Sequence, residues 1–520
     1  GGVALAAVDV IARLAGVPLL RPDVGAVWIV PAAVAWSFVG LRPRSFRPLA
    51  SLVPVLTVAA IALVLRLGLG PWGPLHVNGH GARFVGGVVH DAGDIAAYGP
   101  GYREIFAPVA ALAPASPDWA IFALNALLSA LVPPLAFAIG RMTGLAPRAA
   151  VVAALLLAID PVAIRMGATE VYFVPIAFLC AAASAVMLAA LRALEASDRW
   201  RAAALLGAAG LLLSLGARIH PSGWVAMATV PFVVLAGDAG TWPRRVLLAI
   251  VAAVVAGGIL LATSSAALLD VLGNIRTGTV YKPPLPPLAP LVTVAVVVAV
   301  YALLVPRRWL ALPAGIAVVA MLLTSHAFAA TWIWQQAYER IYLTLPVVAA
   351  VAVVPSGWLR RDWLAAPLAI GLGLVWVGIG WPIVTDRTTD HLEYRWVRDE
   401  LREIPLECRI VHLAFAGEHA LLLPTYVPVS RQAVAMDARQ PRTIESALAP
   451  GPCLYYVHSS LCSTPEGRPE CEAIERRLTL VPVARASFPP GREFDAPVHE
   501  GDSVETVIAR VEGVLEPDDR

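Results

Sequence analysis

Charge is what this chain has least of. Lys, Arg, Asp and Glu make up only 15% of 520 residues, against about a quarter in soluble globular proteins. With 58% hydrophobic residues and a mean hydropathy of +0.72, that shortage excludes a water-soluble globular fold. The formal net charge of +2 is too small to imply nucleic acid or an acidic partner. Cysteine is scarce as well: there are five, and no paired CxxC elements of the kind that mark a zinc site. No internal repeat is evident, and the chain opens on Gly-Gly without Met, which leaves room for residues upstream.

What is present is a succession of apolar runs up to about residue 384. Each is roughly 17 to 25 residues long, enough to cross about 30 Å of hydrocarbon as a helix. There are about thirteen such runs, which predicts an all-α polytopic membrane protein. The first, residues 1–20, is interrupted by Asp9 and Arg13 and reads equally as a weak span or as a signal-like segment without a clear cleavage site.

Arginines mark alternate loops, in the groups Arg42, Arg44 and Arg47; Arg141 and Arg148; Arg192, Arg199 and Arg201; Arg244 and Arg245; Arg307 and Arg308; Arg360 and Arg361. By the positive-inside rule these loops are cytoplasmic. Loops 71–117, 166–170, 218–220, 269–288 and 326–340 then face outward, as does everything after about residue 385. Four of the five cysteines, Cys408, Cys453, Cys462 and Cys471, lie in that last region. An even number outside a reducing cytoplasm predicts two disulfides, with three pairings open. The alternative is a zinc site from Cys453, His458, Cys462 and Cys471. Cys180, inside an apolar run, reads as a small buried residue.

Composition shifts near residue 385, dividing the chain into a transmembrane domain, 1–384, and an extracytoplasmic C-terminal domain, 385–520. Residues 390–404 carry an amphipathic helical pattern. Short apolar runs at 410–415, 454–457, 478–483 and 504–511 predict a small α/β domain, with the last few residues disordered.

The ionisable groups gather in the outward loops, where hydrated chemistry is expected. Loop 71–117 holds His76, Asn78, His80, His90, Asp91, Asp94 and Glu104. Asp91 or Asp94, partly shielded from water, suits a general base, and helix-capping acids in a solvated loop are the alternative. The tight turn 166–170 is flanked by Arg165 and ends on Glu170. The turn at 218–222 carries Arg218 and His220, where the arginine suits a phosphate head group or merely snorkels to the interface. Arg276, Tyr281 and Lys282, with Tyr338, Glu339 and Arg340 further on, set cations beside aromatics. That pattern suits a lipid-linked phosphate with a sugar lying against it, or an interfacial aromatic belt.

An outward acidic loop ending Tyr98-Gly-Pro-Gly-Tyr102, two spans, and then a short outward turn with Arg and Glu together resemble the GT-C superfamily of membrane glycosyltransferases. The number of spans and the outward C-terminal domain resemble its family 39 branch, with the protein mannosyltransferases and the lipid A aminoarabinose transferases. Tyr338-Glu-Arg-Ile-Tyr-Leu-Thr-Leu-Pro346 is similar to the late outer segment of those enzymes. The likeness implies an inverting hexosyl or pentosyl transfer from a polyprenyl-phosphate sugar to a lipid, glycan or protein acceptor. The setting is the outer face of a bacterial cytoplasmic membrane. It implies catalytic roles for Asp91, Asp94, His80 and Glu170. Arg165, Arg218, His220, Arg276, Lys282, Tyr338 and Arg340 would bind the donor phosphate, and some relatives use a divalent cation, Mg2+ or Mn2+. One departure stands out: where the family has an acid soon after the first long span, this chain has His76-Val-Asn78-Gly-His80.

A metal site from His76, His80, His90 and Asp91 is a further alternative. The principal rival is a secondary transporter or lipid flippase, for which ionisable groups near the midplane and repeated halves are expected. An assembly role, or an O-antigen ligase or polymerase with a late outer loop, are further alternatives.

Overall fold

The computed structural model describes residues 47–69, Trp72, 80–90, 101–277 and 389–515, with breaks, of which the longest is 414–432. The chain forms two compact units. One takes Gly1–Gly70, Ala96–Ile105 and Phe122–Val384; the other takes Pro71–Ile95, Phe106–Ile121 and Thr385–Arg520.

The first unit is helical. Its elements are α1 (Arg47–Gly68), the body of α4 (Pro117–Met142), α5 (Pro147–Ala158), α6 (Pro161–Gly167), α7 (Phe173–Glu195), α8 (Arg199–Ile219) and α9 (Trp242–Thr277). Among the described residues, four helices, Pro117–Met142, Phe173–Glu195, Arg199–Ile219 and Trp242–Ile259, are long and apolar enough to cross a membrane, as a multi-pass membrane protein requires. Small residues let the helices approach closely: Val58, Ala62, Ala130, Ala154 and Ala158 form one shared core. A Cβ on Gly210 of α8 would come within 2.6 Å of Val255 on α9. Helix starts follow capping chemistry. The Asp198 carboxylate accepts from the Arg201 N–H to open α8. Asp160 accepts from the Ala163 N–H, with Pro161 after it, to open α6.

The second unit contains α2 (His80–His90), the later part of α3 (Gly101–Leu112), the first turn of α4 and the C-terminal α/β domain. That domain begins with α10 (Thr389–Glu400), matching the amphipathic pattern. It continues through β1 (Arg409–Leu413), β2 (Ala433–Met436), α11 (Pro441–Ala447), β3 (Leu454–His458), α12 (Gly467–Glu475), β4 (Leu478–Phe488), a short β5–β6 pair (Arg492–Glu493 and Ala496–Pro497) and β7 (Val504–Val514). Five strands form one sheet in the order β2-β1-β3-β7-β4; β1 runs parallel to β2 and β3, and β7 antiparallel to β3 and β4. Neighbouring residues of β1 point to opposite faces, so Ile410 packs with Val397 and Leu401 of the α10 segment, while Val411 packs with Ile444 of α11 and Ile474 of α12. Helices therefore cover both faces of the sheet, as parallel pairing requires.

Two disulfides tie this domain together: Cys408–Cys453 joins the approaches to β1 and β3, and Cys462–Cys471 joins a short turn to α12. The zinc alternative fails because all four thiols are consumed. Cys180 is free and buried, as expected. Residues 1–46, with the first predicted spans, and residues 278–388, with several more, lie outside the described residues, and so does that part of the expected thirteen spans.

Candidate functional site

The first unit brings three of the four outward features to one end of its helices. The break at Asp160-Pro161 turns the chain out of α5 into the single-turn-and-a-half α6, and residues 168–172 then lead into α7. This connection has no regular ladder to satisfy its carbonyls, so side chains do so instead. The Asn125 amide of α4 donates to Thr169 O at 2.6 Å and to Val171 O at 3.2 Å. The Tyr102 hydroxyl donates to Glu170 O at 2.6 Å. The Thr169 hydroxyl donates back to Met166 O at 2.7 Å.

Beneath the turn lies Arg66, fully buried in the last turn of α1. Its Nε donates to Ser129 Oγ at 2.6 Å, its Nη1 to Ala62 O and Ala158 O, both at 3.0 Å, and its Nη2 to Leu157 O at 3.4 Å. Leu157 and Ala158 end α5, where helix carbonyls have no partner of their own and the macrodipole favours a cation. A Cβ on Gly167 would sit 2.7 Å from Arg66 Cγ, so glycine is needed there for the turn to seat on the arginine stem.

The turn after α8 joins the same end. Gly101, opening α3, lies so close to the Arg218–Ile219 backbone that a Cβ there would meet it at 2.8 Å. Arg218 forms an ion pair with Glu104, one turn along α3. The His220 ring stacks on Tyr172 with centroids 4.0 Å apart and lies edge-on to Phe173 at 6.4 Å.

Of the predicted site residues, Glu170, Arg218 and His220 are therefore drawn together with the start of α3, while Arg165 stands in the last turn of α6. Arg165 and Glu170 are buried, and His220 nearly so. Asp91, Asp94, Lys282, Tyr338 and Arg340 lie outside the described residues. His80 opens α2 and Arg276 lies near the end of α9, and nothing of their side chains is described. Sequence reasoning quoted Tyr102 only as the end of the Tyr98-Gly-Pro-Gly-Tyr102 segment, without a role, and passed over Arg66, Asn125 and Tyr172. Asn125 and Arg66 had a usable signal, a polar side chain inside an apolar run, while Tyr172 had none.

The described carboxylates here do not form a cation site: Glu104 is paired with Arg218 and Glu170 is enclosed. In the C-terminal domain His458, Cys462 and Glu475 bring potential ligand atoms within 4.8 Å of one another, but Cys462 is bonded to Cys471. What remains is a His458 Nδ1–Glu475 pair at 2.5 Å.

No protein-family model matches the sequence, and no curated protein matches it. Solved structures do. The chain is similar to ArnT from Cupriavidus metallidurans in the apo state, with a TM-score of 0.54, 14% identity, and coverage of 89% of this chain and 99% of that one. The same enzyme bound to undecaprenyl phosphate gives a TM-score of 0.53 at the same identity and coverage. The Archaeoglobus fulgidus oligosaccharyltransferase, in a complex with Zn and sulfate, gives a TM-score of 0.42 at 13% identity over 87% of this chain and 75% of that one. The ArnT likeness shows a shared fold.

Proposed function

We propose that this chain is an integral membrane glycosyltransferase that moves a sugar from a polyprenyl-phosphate donor to a lipid, glycan or protein acceptor at the outer face of a bacterial cytoplasmic membrane. The observation that carries the reading is the fold shared over almost the whole of ArnT, whose structure was solved bound to undecaprenyl phosphate. The meeting of Arg218 and His220 with the start of α3 and the turn before α7 agrees with it, because a cation and an imidazole collected at one end of apolar helices suit a lipid-borne phosphate.

In this reading the base, Asp91 or Asp94, takes the proton of the acceptor O–H or N–H, with His80 as the alternative base. The freed electron pair attacks the anomeric carbon opposite the phosphate. The bond from that carbon to the phosphate oxygen breaks, and polyprenyl phosphate departs with the electron pair, inverting the sugar centre. Arg165, Arg218 and His220, with Arg276, Lys282, Tyr338 and Arg340, hold the departing phosphate. Phosphate at Arg218 would compete with Glu104 for the guanidinium. Glu170 lines the same turn as a second acid. No step is assigned to a divalent cation.

The test is consumption of a panel of radiolabelled polyprenyl-phosphate sugars by the purified protein, with and without EDTA. Donor loss abolished by Asp91→Asn or Asp94→Asn supports the reading, whereas full activity in both variants removes the assigned base. No turnover of any donor with acceptor lipids present shifts the reading to a transporter or flippase.

A further inference from the structure

One end of the outer loop meets a helix of the C-terminal domain directly, and the other reaches it through a ring stack. Trp72 stands where the loop begins and Asp118 and Trp119 where it gives way to α4, and all three belong to the same compact unit as α10. Asp118 is 1% exposed, and a carboxylate taken out of water needs a compensating partner. Arg398 Nη1 approaches one carboxylate oxygen at 3.4 Å, and Arg395 Nη2 approaches the other at 3.8 Å. The two arginines are three residues apart on α10 and so share a face.

Arg395 does a second thing. Its guanidinium carbon lies 3.7 Å from the centroid of the Trp119 ring, a cation–π contact. Trp119 in turn stacks on Trp72, with centroids 4.8 Å apart and planes inclined by 26°. Trp72 is 5% exposed and has φ of +33°, a conformation that a bulky side chain adopts only when its surroundings enforce it. The enforcing contact is the stack that continues through Trp119 to Arg395.

We propose that Arg395, with Arg398, is a positioning residue: through Asp118, Trp119 and Trp72 it fixes both ends of the loop that carries the proposed base. The catalytic half of this inference rests on the glycosyltransferase reading; the mechanical half does not.

The experiment compares full-length wild type with Arg395→Ala, Arg395→Lys and Trp72→Leu, reading hydrogen exchange over α2 and, separately, donor transfer. Arg395→Ala is expected to speed exchange over α2 about tenfold or more, while β1 and β3 keep their protection. In transfer, kcat should fall about tenfold or more with KM for the donor changed by less than about threefold. Lysine keeps the charge and the ring contact, so Arg395→Lys should restore most of both readouts. Trp72→Leu, which removes only the ring at the loop's start and spares the buried Asp118, should move both the same way and decides the matter if Arg395→Ala does not fold. Unchanged exchange over α2 in the folded variants overturns the clamp. Unchanged kcat beside an active wild type overturns its catalytic consequence. If wild type consumes no donor, the glycosyltransferase reading is what fails, and exchange alone then judges the clamp.

Discussion

The two units hold their irregular segments by different means. In the apolar unit, the turn at 160–172 is fixed by hydrogen bonds from buried side chains to backbone carbonyls, from Asn125, Tyr102 and the buried Arg66. In the second unit, the loop ends are fixed by charge, two arginines on one carboxylate, and the α/β domain beside them by two covalent crosslinks. The contrast follows from solvent. A span in hydrocarbon has no water to satisfy a stray carbonyl, so each polar side chain there is committed to backbone. A domain in water with an oxidant at hand can use ion pairs and disulfides.

The sharpest way to break the comparison is Arg66→Ala. It would remove the side-chain donor to the Leu157 and Ala158 carbonyls at the end of α5 and to Ser129 Oγ and leave a cavity, with an expected loss of roughly 4 kcal/mol. Lysine, lacking the fork, should not rescue it. Thermal unfolding in detergent reads this, and a wild-type midpoint for Arg66→Ala would show that the arginine does not carry the turn.

In the second unit the counterpart is removal of crosslinks. Cys408–Cys453 spans 45 residues and Cys462–Cys471 spans 9, so loop-closure entropy makes the first worth about 4 kcal/mol and the second about 3. Denaturant unfolding of Cys408→Ala and Cys462→Ala should follow that order. An inverted order would mean that packing around α12, not chain entropy, dominates. Reductant should lower the unfolding midpoint of this domain and leave that of the helical unit unmoved.

Asn125→Ala should remove donors from two turn carbonyls for about 2 kcal/mol, and Tyr102→Phe one donor for about 1 kcal/mol. If both variants unfold like wild type but lose donor transfer, the turn is held for catalysis and not for stability.

The smallest effect is a pH slope. Burial holds His412 on β1 down to about 4, partly opposed by its Nδ1 contact with Leu413 O. A depressed folded value means that the unfolded chain binds more protons between about 4 and 6.5, so stability is full above 6.5 and is lost as pH falls toward 4. The slope is at most about 1.4 kcal/mol per pH unit. His412→Phe should flatten it in urea titrations of the full chain, and an unchanged slope would assign the acid sensitivity elsewhere.

Much of this was legible from residues. The α10 helix, four of the five main strands and the pair of disulfides follow from amphipathic period, short apolar runs and an even cysteine number. β2 was not, since four residues, Ala433–Met436, carry too little pattern to stand out from a loop. The disulfide pairing was open because three connectivities share one sequence. At the candidate site, Arg165, Glu170, Arg218 and His220 were visible as ionisable groups at span ends. Their fixing by Asn125, Tyr102 and Tyr172 was not, because a hydrogen bond from residue 125 to residue 169 leaves no local trace.

The sequence by itself determined that this protein lives in a membrane, which loops collect its polar chemistry, and where the α/β domain starts, because hydropathy and charge act through runs of neighbouring residues. Only the tertiary structure decided that Gly101, the turn before α7 and the end of α8 come together, that Cys408 pairs with Cys453, and that Asp118 and Trp119 meet Arg395 while Trp72 stacks on Trp119. Those contacts span tens to hundreds of residues. They depend on packing and on the burial of charge, which are properties of the folded chain and of no single stretch of it.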